Sequence, residues 1–382
     1  MPDAPLALMC AWTVDGIPAD AKRSIERVRR SDDVTRVAVL PDVHVAGETC
    51  VGIAVATTRL LYPALVGQDI GCGLATIAFD ADASSLEDRR ETLLRALLDA
   101  IPIIQHRSDE ATLEGLDPAA LSDRSLATLA RREGAREFGT LGRGNHFAEF
   151  ERDADDRLWL LVHSGSRVMG EAITHLHVAR GEVRRGGLTA LDAATDAGTA
   201  YANDLAWARS YARASRRRML VRVAALVQAH LGVAAVDSTS LDCDHNHVAR
   251  VAIDGRTVLV HRKGASSAAC DEPALIPGAM GRESMHVTGR GADASLHSSS
   301  HGAGRVMSRG RARHAIAARA LDASLASVTV ARSIRSRLAE ESAPAYRDIQ
   351  AVMRAQRDLV RTVRVVRGFV VHRACPTRAR VT

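Results

Sequence analysis

Aromatic residues make up only 3% of this 382-residue chain. A surface that grips single strands mainly by stacking bases is therefore not expected. Lysine is nearly absent: Lys22 and Lys263 are its two representatives, and arginine carries the rest of the positive charge. That is first a compositional habit and only second a functional signal. No apolar run approaches the roughly 20 residues that span a bilayer. The opening MPDAPLALMCAWTVDG lacks the basic start, apolar stretch and small-residue cleavage site of a secretory signal. The expected location is cytoplasmic, with no membrane partner. Six cysteines (Cys10, Cys50, Cys72, Cys243, Cys270 and Cys375) are scattered without a CxxC pair. Free thiols, with a task for one of them at most, are expected rather than a disulfide framework. Two nucleotide signatures are also missing, the GxxxxGK[ST] loop and a GxGxxG opening a Rossmann unit.

What is there is ordinary in bulk. The chain is 46% apolar and 25% charged, with net charge +6 and a pI near 9.3. These are the proportions of a soluble globular protein with a modest leaning toward polyanionic partners. The length allows one large core or two domains. Helical periodicity predicts a helix over 84–100 with Ser85 as N-cap, two helices within 189–231, and a helix over 344–361 beginning near Pro344. Strand-like runs at 36–40, 51–56, 158–163, 257–261 and 363–371 alternate with them. Segments 104–118 and 290–300 read as loops. The fold class expected is α/β, of the mixed α+β kind. The chemically interesting motifs spread from residue 42 to 309, so residues 1–382 are expected to form a single catalytic body.

Those motifs share a form, a strand end followed by Gly, His, Asp or Cys. They are PDVHVAG (41–47), GQDIGCG (67–73), GRGNHF (142–147), HSGSR (163–167), DHNH (244–247), HRKGAS (261–266) and SSSHGAGR (298–305). Asp69 and Cys72 lie three apart between glycines, where a tight turn can aim both at one point. His146, His163 and His245 sit at similar mouths. Taken singly, each histidine reads more readily as a hydrogen-bonded structural residue and the cysteine as inert packing. Taken together, one thiolate, one carboxylate and three imidazoles are enough for a metal site, even for two ions sharing the sulfur. Ligand softness by itself would suit zinc.

HGAGR at 301–305 joins an imidazole to two glycines and an arginine. Glycines let backbone N–H groups approach phosphate oxygens, and Arg305 and Arg309 can pair with phosphate in bidentate fashion. Alone, this motif is as readily a structural turn as a nucleophile. Neither lysine stands in the KxDG context of a lysine-nucleophile ligase, so a nucleotidyl transfer here would need a histidine to carry it.

In order along the chain, PDVH, GxDIxCG, GxLGxGNHFxE, HSGSR, HNxxA, VHRKGA, LIPGxMG and HGAGRxMSR, then a tyrosine-containing helix near the C-terminus, resemble the RtcB family of RNA ligases over roughly residues 40–372. The resemblance implies an RtcB-like fold of central β-sheets surrounded by helices. It also implies a GTP- and manganese-dependent ligase that joins 2′,3′-cyclic phosphate or 3′-phosphate RNA ends to 5′-hydroxyl ends. By position, His301 would be the guanylylated nucleophile. Cys72 would bridge two manganese ions, one also held by His163 and His245 and the other by Asp69 and His146. The nucleotide would be held by Asn145, Glu149, His245, Asn246, Pro277, Gly278, Ala279, Met280, Ser284, His301, Gly302, Ala303, Gly304, Arg305, Tyr346 and His372. Asp42, Arg167, Lys263, Arg305 and Arg309 would serve RNA or triphosphate phosphates. The partners implied are RNA with broken ends, whether tRNA halves or nicked tRNA and rRNA, and an activating or operon-linked RNA-repair protein. There are departures. The family's terminal lysine is replaced in GFVVHRACPT, where His372 is expected at that place. Ala279 stands where the family usually has serine, and VHVAGETCVG replaces PGYGFPIGG after Asp42. These suggest a divergent branch serving RNA repair. The competing expectation is a dinuclear phosphoesterase that opens cyclic phosphates without joining them, which would need the metal ligands but not His301 or Tyr346.

Overall fold

A computed structural model of the chain describes residues 6–104, 112–142 and 144–374. Two sheets dominate. A five-stranded sheet runs, in spatial order, through Leu8–Ala11, Val34–Ala46, Thr49–Thr57, Arg256–Lys263 and Asn246–Ile253. A larger sheet runs through Ala235–Asp244, Gly73–Asp82, Arg157–Ser164, Phe147–Asp153, Val360–Arg373, Glu283–Gly289 and Pro273–Ile276, and Thr329–Val330 adds to its Val360–Arg373 strand. One apolar cluster joins Ala38, Leu40, Ala54 and Val260 of the first sheet to Ile276, Met285 and Val287 of the second. Another packs Leu93, Leu97, Met219 and Val223 of two helices onto Phe79, Phe150 and Leu160 of the larger sheet. The arrangement is mixed α/β, and the sequence-predicted strands all fall inside observed ones.

The chain passes from one sheet to the other at two of the motifs. GQDIGCG carries it from the small sheet into Gly73–Asp82. DHNH carries it back, since Asp244 ends one strand and Asn246 begins the next with His245 alone between them. The crossings are tied to each other: His245 N donates to Cys72 O at 2.8 Å, and Gly71 N donates to Asn246 O at 2.8 Å. A side chain at Gly73 would run into the Cys243 carbonyl, 2.3 Å from where its Cβ would stand, so glycine is what permits this contact.

The helices depart from expectation in ways their caps explain. The stretch 189–231 is a short strand, Thr189–Asp192, and then one unbroken helix, Asp196–Leu231, rather than two helices. Thr195 caps its start by accepting from Gly198 N, and Gly232 ends it in the left-handed region at φ 70°. No proline or competing cap interrupts the stretch. Within 84–100, the α-helix is Arg90–Ala100, preceded by a 3-10 turn over Ala83–Arg89. Ser85 is not its cap, because its hydroxyl donates to Asp82 O. Within 344–361, Asp348 caps a helix restricted to Ile349–Ala355, and the strand already starts at Val360. The loop expected at 290–300 contains a 3-10 turn at Asp293–Ser295 and a three-residue strand, Ser298–Ser300, that leads into His301. Residues 105–111 of the other expected loop, and Cys375, lie outside the described residues. No helix among the described residues is long and apolar enough to cross a membrane.

Candidate active site

The seam between the sheets opens into a cleft of about 270 Å³. Asp69, Cys72, His146, His163, His245 and His301 all line it. Cys72 comes from the first crossing and His245 from the second. His163 lies near the end of Arg157–Ser164, paired across the strands with Phe147, which brings His146 alongside.

Cys72 Sγ stands 3.4 Å from His146 Nε2 and 3.3 Å from His163 Nε2. His163 Nε2 is in turn 3.4 Å from His245 Nε2. His163 Nδ1 donates to the Asn145 carbonyl at 2.9 Å, which leaves its Nε2 lone pair facing the sulfur. Burial, followed by the neighbouring imidazoles, holds His163 and His245 well below the usual histidine range. Burial and then Asp69 push the Cys72 thiol well up. Burial alone would raise the Asp69 carboxyl, but the charge and hydrogen bond of His146 outweigh it and keep the group ionised. Two overlapping donor sets result, Cys72–His163–His245 and Asp69–Cys72–His146, each with ligand atoms within 4.8 Å of one another. The His163 and His245 imidazoles, held neutral by burial, and a thiol crowded beside them are a donor set that fits divalent ions.

His301 follows the Ser298–Ser300 strand, and its ring centroid lies 4.7 Å from that of His245. Its partner is Asp42, fully buried at an irregularity in the Val34–Ala46 strand. Asp42 Oδ2 accepts from His301 Nδ1 at 2.6 Å and from His301 N at 3.1 Å. Gly304, at φ +71°, lets the next turn lie against Asp42, whose Cβ is 2.6 Å from where a Gly304 Cβ would stand. Asp42 was expected among the phosphate contacts. It lies behind the imidazole instead, where a carboxylate fixes the ring and its tautomer and leaves Nε2 toward the cleft.

The other end of the cleft is charged. Tyr346 hydroxyl meets Glu341, accepts from Arg305 at 2.8 Å and lies 3.1 Å from Asn145 Oδ1. Arg373 donates to Asn145 Oδ1 at 2.6 Å and pairs with Glu341 at 2.9 Å. Glu149 lines this end, its carboxyl raised by burial to about 7 despite Arg373. Pro277, Gly278, Ala279, Met280, Gly302, Ala303 and Gly304 complete the wall, and Asn246 and Arg309 reach it nearer the metal donors. The Asn246 amide is spent on structure, donating to Asp69 O and accepting from Gly264 N.

Four expected contacts are placed elsewhere. His372 faces away from the cleft and its ring meets the Ile101 carbonyl at 3.0 Å, while its neighbour Arg373 faces in. Successive residues of a strand point to opposite faces, so a one-residue misplacement moves the side chain across the sheet. Lys263 is buried, donates to Ala46 O and Thr49 Oγ1, and is lowered by burial to about 8. Arg167 braces His146 Nδ1 at 3.2 Å. Ser284 lies behind the wall, within 3.3 Å of Gly278 N.

Sequence reasoning passed over two groups that the structure makes central. One is Glu341. The other is Arg216 of the long helix, fully buried, which is bidentate to Asp242 at 2.8 Å and donates at 2.8 Å to both Gly71 O and Ser164 O. It pins the residues next to Cys72 and His163. Its place in the run Arg216–Arg217–Arg218 gave no signal that one of the three is buried.

A histidine braced by a buried carboxylate, set beside convergent groups that can hold a metal in a cleft between two sheets, is the layout of an enzyme rather than of a passive docking surface. Comparison with known proteins says which enzymes. The family model described as tRNA-splicing ligase RtcB matches residues 24–117 and 104–374. The RNA-splicing ligase RtcB of Escherichia coli K12 is 32% identical over 395 aligned residues, covering 94% of this chain and 95% of that protein. That of Mycobacterium tuberculosis H37Rv is 29% identical, covering 83% and 91% respectively. The tRNA-splicing ligase RtcB of Methanococcus maripaludis is 24% identical, covering 82% of each. The chain belongs to the RtcB family and is an RNA ligase.

Proposed function

We propose that this ligase joins RNA 3′-phosphate or 2′,3′-cyclic phosphate ends to 5′-hydroxyl ends through GMP carried on His301. The observation that carries the reading is the Asp42–His301 pair, with 2.6 Å between Oδ2 and Nδ1. The carboxylate holds the Nδ1 proton, so Nε2 can attack the α-phosphorus of GTP. An N–P bond forms, the bond to the β-phosphate oxygen breaks, and pyrophosphate leaves. A 2′,3′-cyclic end is first opened by water, whose oxygen bonds to phosphorus as the P–O2′ bond breaks and the 2′-oxygen takes a proton; an oxygen of the RNA 3′-phosphate then takes the guanylyl group as the N–P bond breaks. Attack by the 5′-hydroxyl expels GMP, forms the 3′,5′-phosphodiester and releases the hydroxyl proton. Activation is needed because a phosphate monoester has no good leaving group.

Two divalent cations, manganese in this reading, would be held by Cys72 with His163 and His245, and by Cys72 with Asp69 and His146. When bound they supply positive charge for developing phosphate charge. At the opposite end, Glu149 can accept from the guanine base, Arg373 can donate to it and Tyr346 can lie against it. His44 also lines the cleft, its Nδ1 tied to the Asp42 carbonyl at 2.8 Å. A cyclic phosphoesterase would use the metal donors and leave the Asp42–His301 pair without a task. A cytoplasmic repair role on cleaved tRNA or rRNA, with an activating partner, is the setting this chemistry suits.

Incubation with manganese and α-labelled GTP, followed by denaturation, tests the reading. Acid-labile, alkali-stable label is expected on the native protein and not on His301→Ala, with joining reduced by roughly 10⁴-fold or more. Label that survives His301→Ala removes the nucleophile assignment. A fully metallated protein that takes no label is a phosphoesterase.

A further inference from the structure

One of the chain's strongly positive stretches stands beside the cleft. From Arg305 to Arg337 there are eight arginines and one acid, Asp322, a net +7; the stretch 354–380 carries the same excess, eight arginines against Asp358. The first of these folds as a cap made of helices Arg309–Ala315 and Ala318–Ser324, the strand Thr329–Val330 laid parallel on Val370 and Val371, and a turn at Arg335–Arg337. Leu321, Leu325, Val328 and Leu338 form its core and close on Met280 of the cleft wall.

The cap's arginines divide into two sets. Arg305 is held by Tyr346 and the Glu340 carbonyl, Arg309 approaches Glu341 at 3.7 Å, Arg313 pairs with Glu340, Arg335 approaches Asp322 at 3.6 Å, and Arg337 donates to Ser333 O. Arg311, Arg319 and Arg332 are exposed, and none forms an ion pair among the described residues. The cap contains no aromatic residue. At its foot a second cavity, of about 660 Å³, runs from Ala320 and Ala323 to Arg282 and Arg367 and shares Ala279 and Tyr346 with the cleft. Of its two wall acids, Glu283 is paired with Arg367 at 3.1 Å and Asp348 lies 3.9 Å from Arg354.

We propose that the cap and the groove at its foot dock the phosphate backbone of the RNA strand and lead its end into the cleft past Arg309. This rests on the RNA-ligase reading and adds a substrate surface outside the cleft. Outward guanidinium groups suit phosphate, and a cap without Phe, Trp or Tyr grips the backbone without reading bases, Tyr346 standing only where the groove meets the cleft.

The test measures binding of a fluorescein-labelled single-stranded RNA with a 3′-phosphate to the full chain, from 50 to 300 mM KCl. In R311Q/R319Q/R332Q the affinity at 100 mM is expected to fall about tenfold or more, and the slope of log K against log salt to become shallower by about 2. The triple lysine variant at the same positions restores both. R131Q/R132Q/R256Q, three exposed arginines away from the cap, leaves both unchanged. Labelling by α-labelled GTP stays at the native level in every variant. Native affinity and slope in the cap variant, or an equal loss in the control variant, overturns the docking surface. Absence of GTP labelling in the native protein counts against the proposed transfer chemistry, while cap-dependent RNA binding stands or falls on the binding data.

Discussion

The two ends of the cleft are built on opposite physical plans. At the metal end, Cys72, His163 and His245 are buried and hold no formal charge in the absence of a cation; they lie within 3.3–3.4 Å of one another along the chain of contacts from sulfur to His245. At the end proposed for the nucleotide, Arg305 and Arg373 are balanced by Glu341 and threaded through Tyr346 and Asn145. The first gathers donors that could hold a cation, and the second is closed by its own charges. Loss of a donor at the metal end should therefore remove binding and spare the fold. Loss of a charge at the nucleotide end should cost the fold first, because it strands a buried partner.

The largest effect is expected at the atom shared by both donor sets. Cys72→Ala should lower affinity for both ions by more than the roughly 10–100-fold that loss of an outer-sphere partner costs. Its melting temperature without metal should stay near the native value. Metal analysis after dialysis checks this, and native occupancy of either set would show that the sulfur is not shared. Next comes Asp42→Asn, which keeps the shape and loses the charge that fixes the imidazole. GMP transfer to His301 is expected to fall by roughly 10²–10⁴-fold with metal content unchanged. A native rate of label incorporation would reduce Asp42 to packing.

The metal end was the more legible in sequence, and the physical reason is local. Its donors stand in short, glycine-bounded motifs, since a sharp sheet-to-sheet crossing needs glycine and so marks itself. The brace on His301 was not legible as a brace, because Asp42 lies 259 positions away and meets it across a strand irregularity. Arg216 was hidden for a similar reason: burial of one arginine among three depends on where Asp242 and two carbonyls fall in space. Arg373 was missed by one residue, and in a strand one residue is the whole difference between facing the cleft and facing Ile101. The strands were readable from their apolar runs. The single long helix was not, because periodicity reports a helical face and says little about whether the helix breaks.

Glu341→Gln probes the other plan. It leaves Arg373 buried with its charge no longer matched, and the expected cost is about 3–5 kcal/mol of stability. Metal occupancy at low temperature should remain native. Calorimetric melting beside metal analysis separates the two. A variant that melts like the native protein would mean that Asn145 and Tyr346 already satisfy Arg373, and the contrast between the two ends would narrow.

The smallest effect concerns a group just behind the nucleotide end. Glu151 is fully buried beside Glu149 and Ser284, and burial followed by the Glu149 charge pushes its carboxyl well up. A carboxyl raised on folding binds its proton more tightly in the native than in the unfolded chain. Its contribution is therefore present below the ordinary value of 4.5 and is lost as pH rises through the native value. Glu151→Gln keeps the shape and cannot ionise. It should melt about 2–4 °C above the native protein at pH 8, with the gap closing as pH falls toward 4.5. If the two proteins melt together at pH 8 as well, water or a cation reaches Glu151, and the nucleotide end is less self-contained than its Arg–Glu pairs imply.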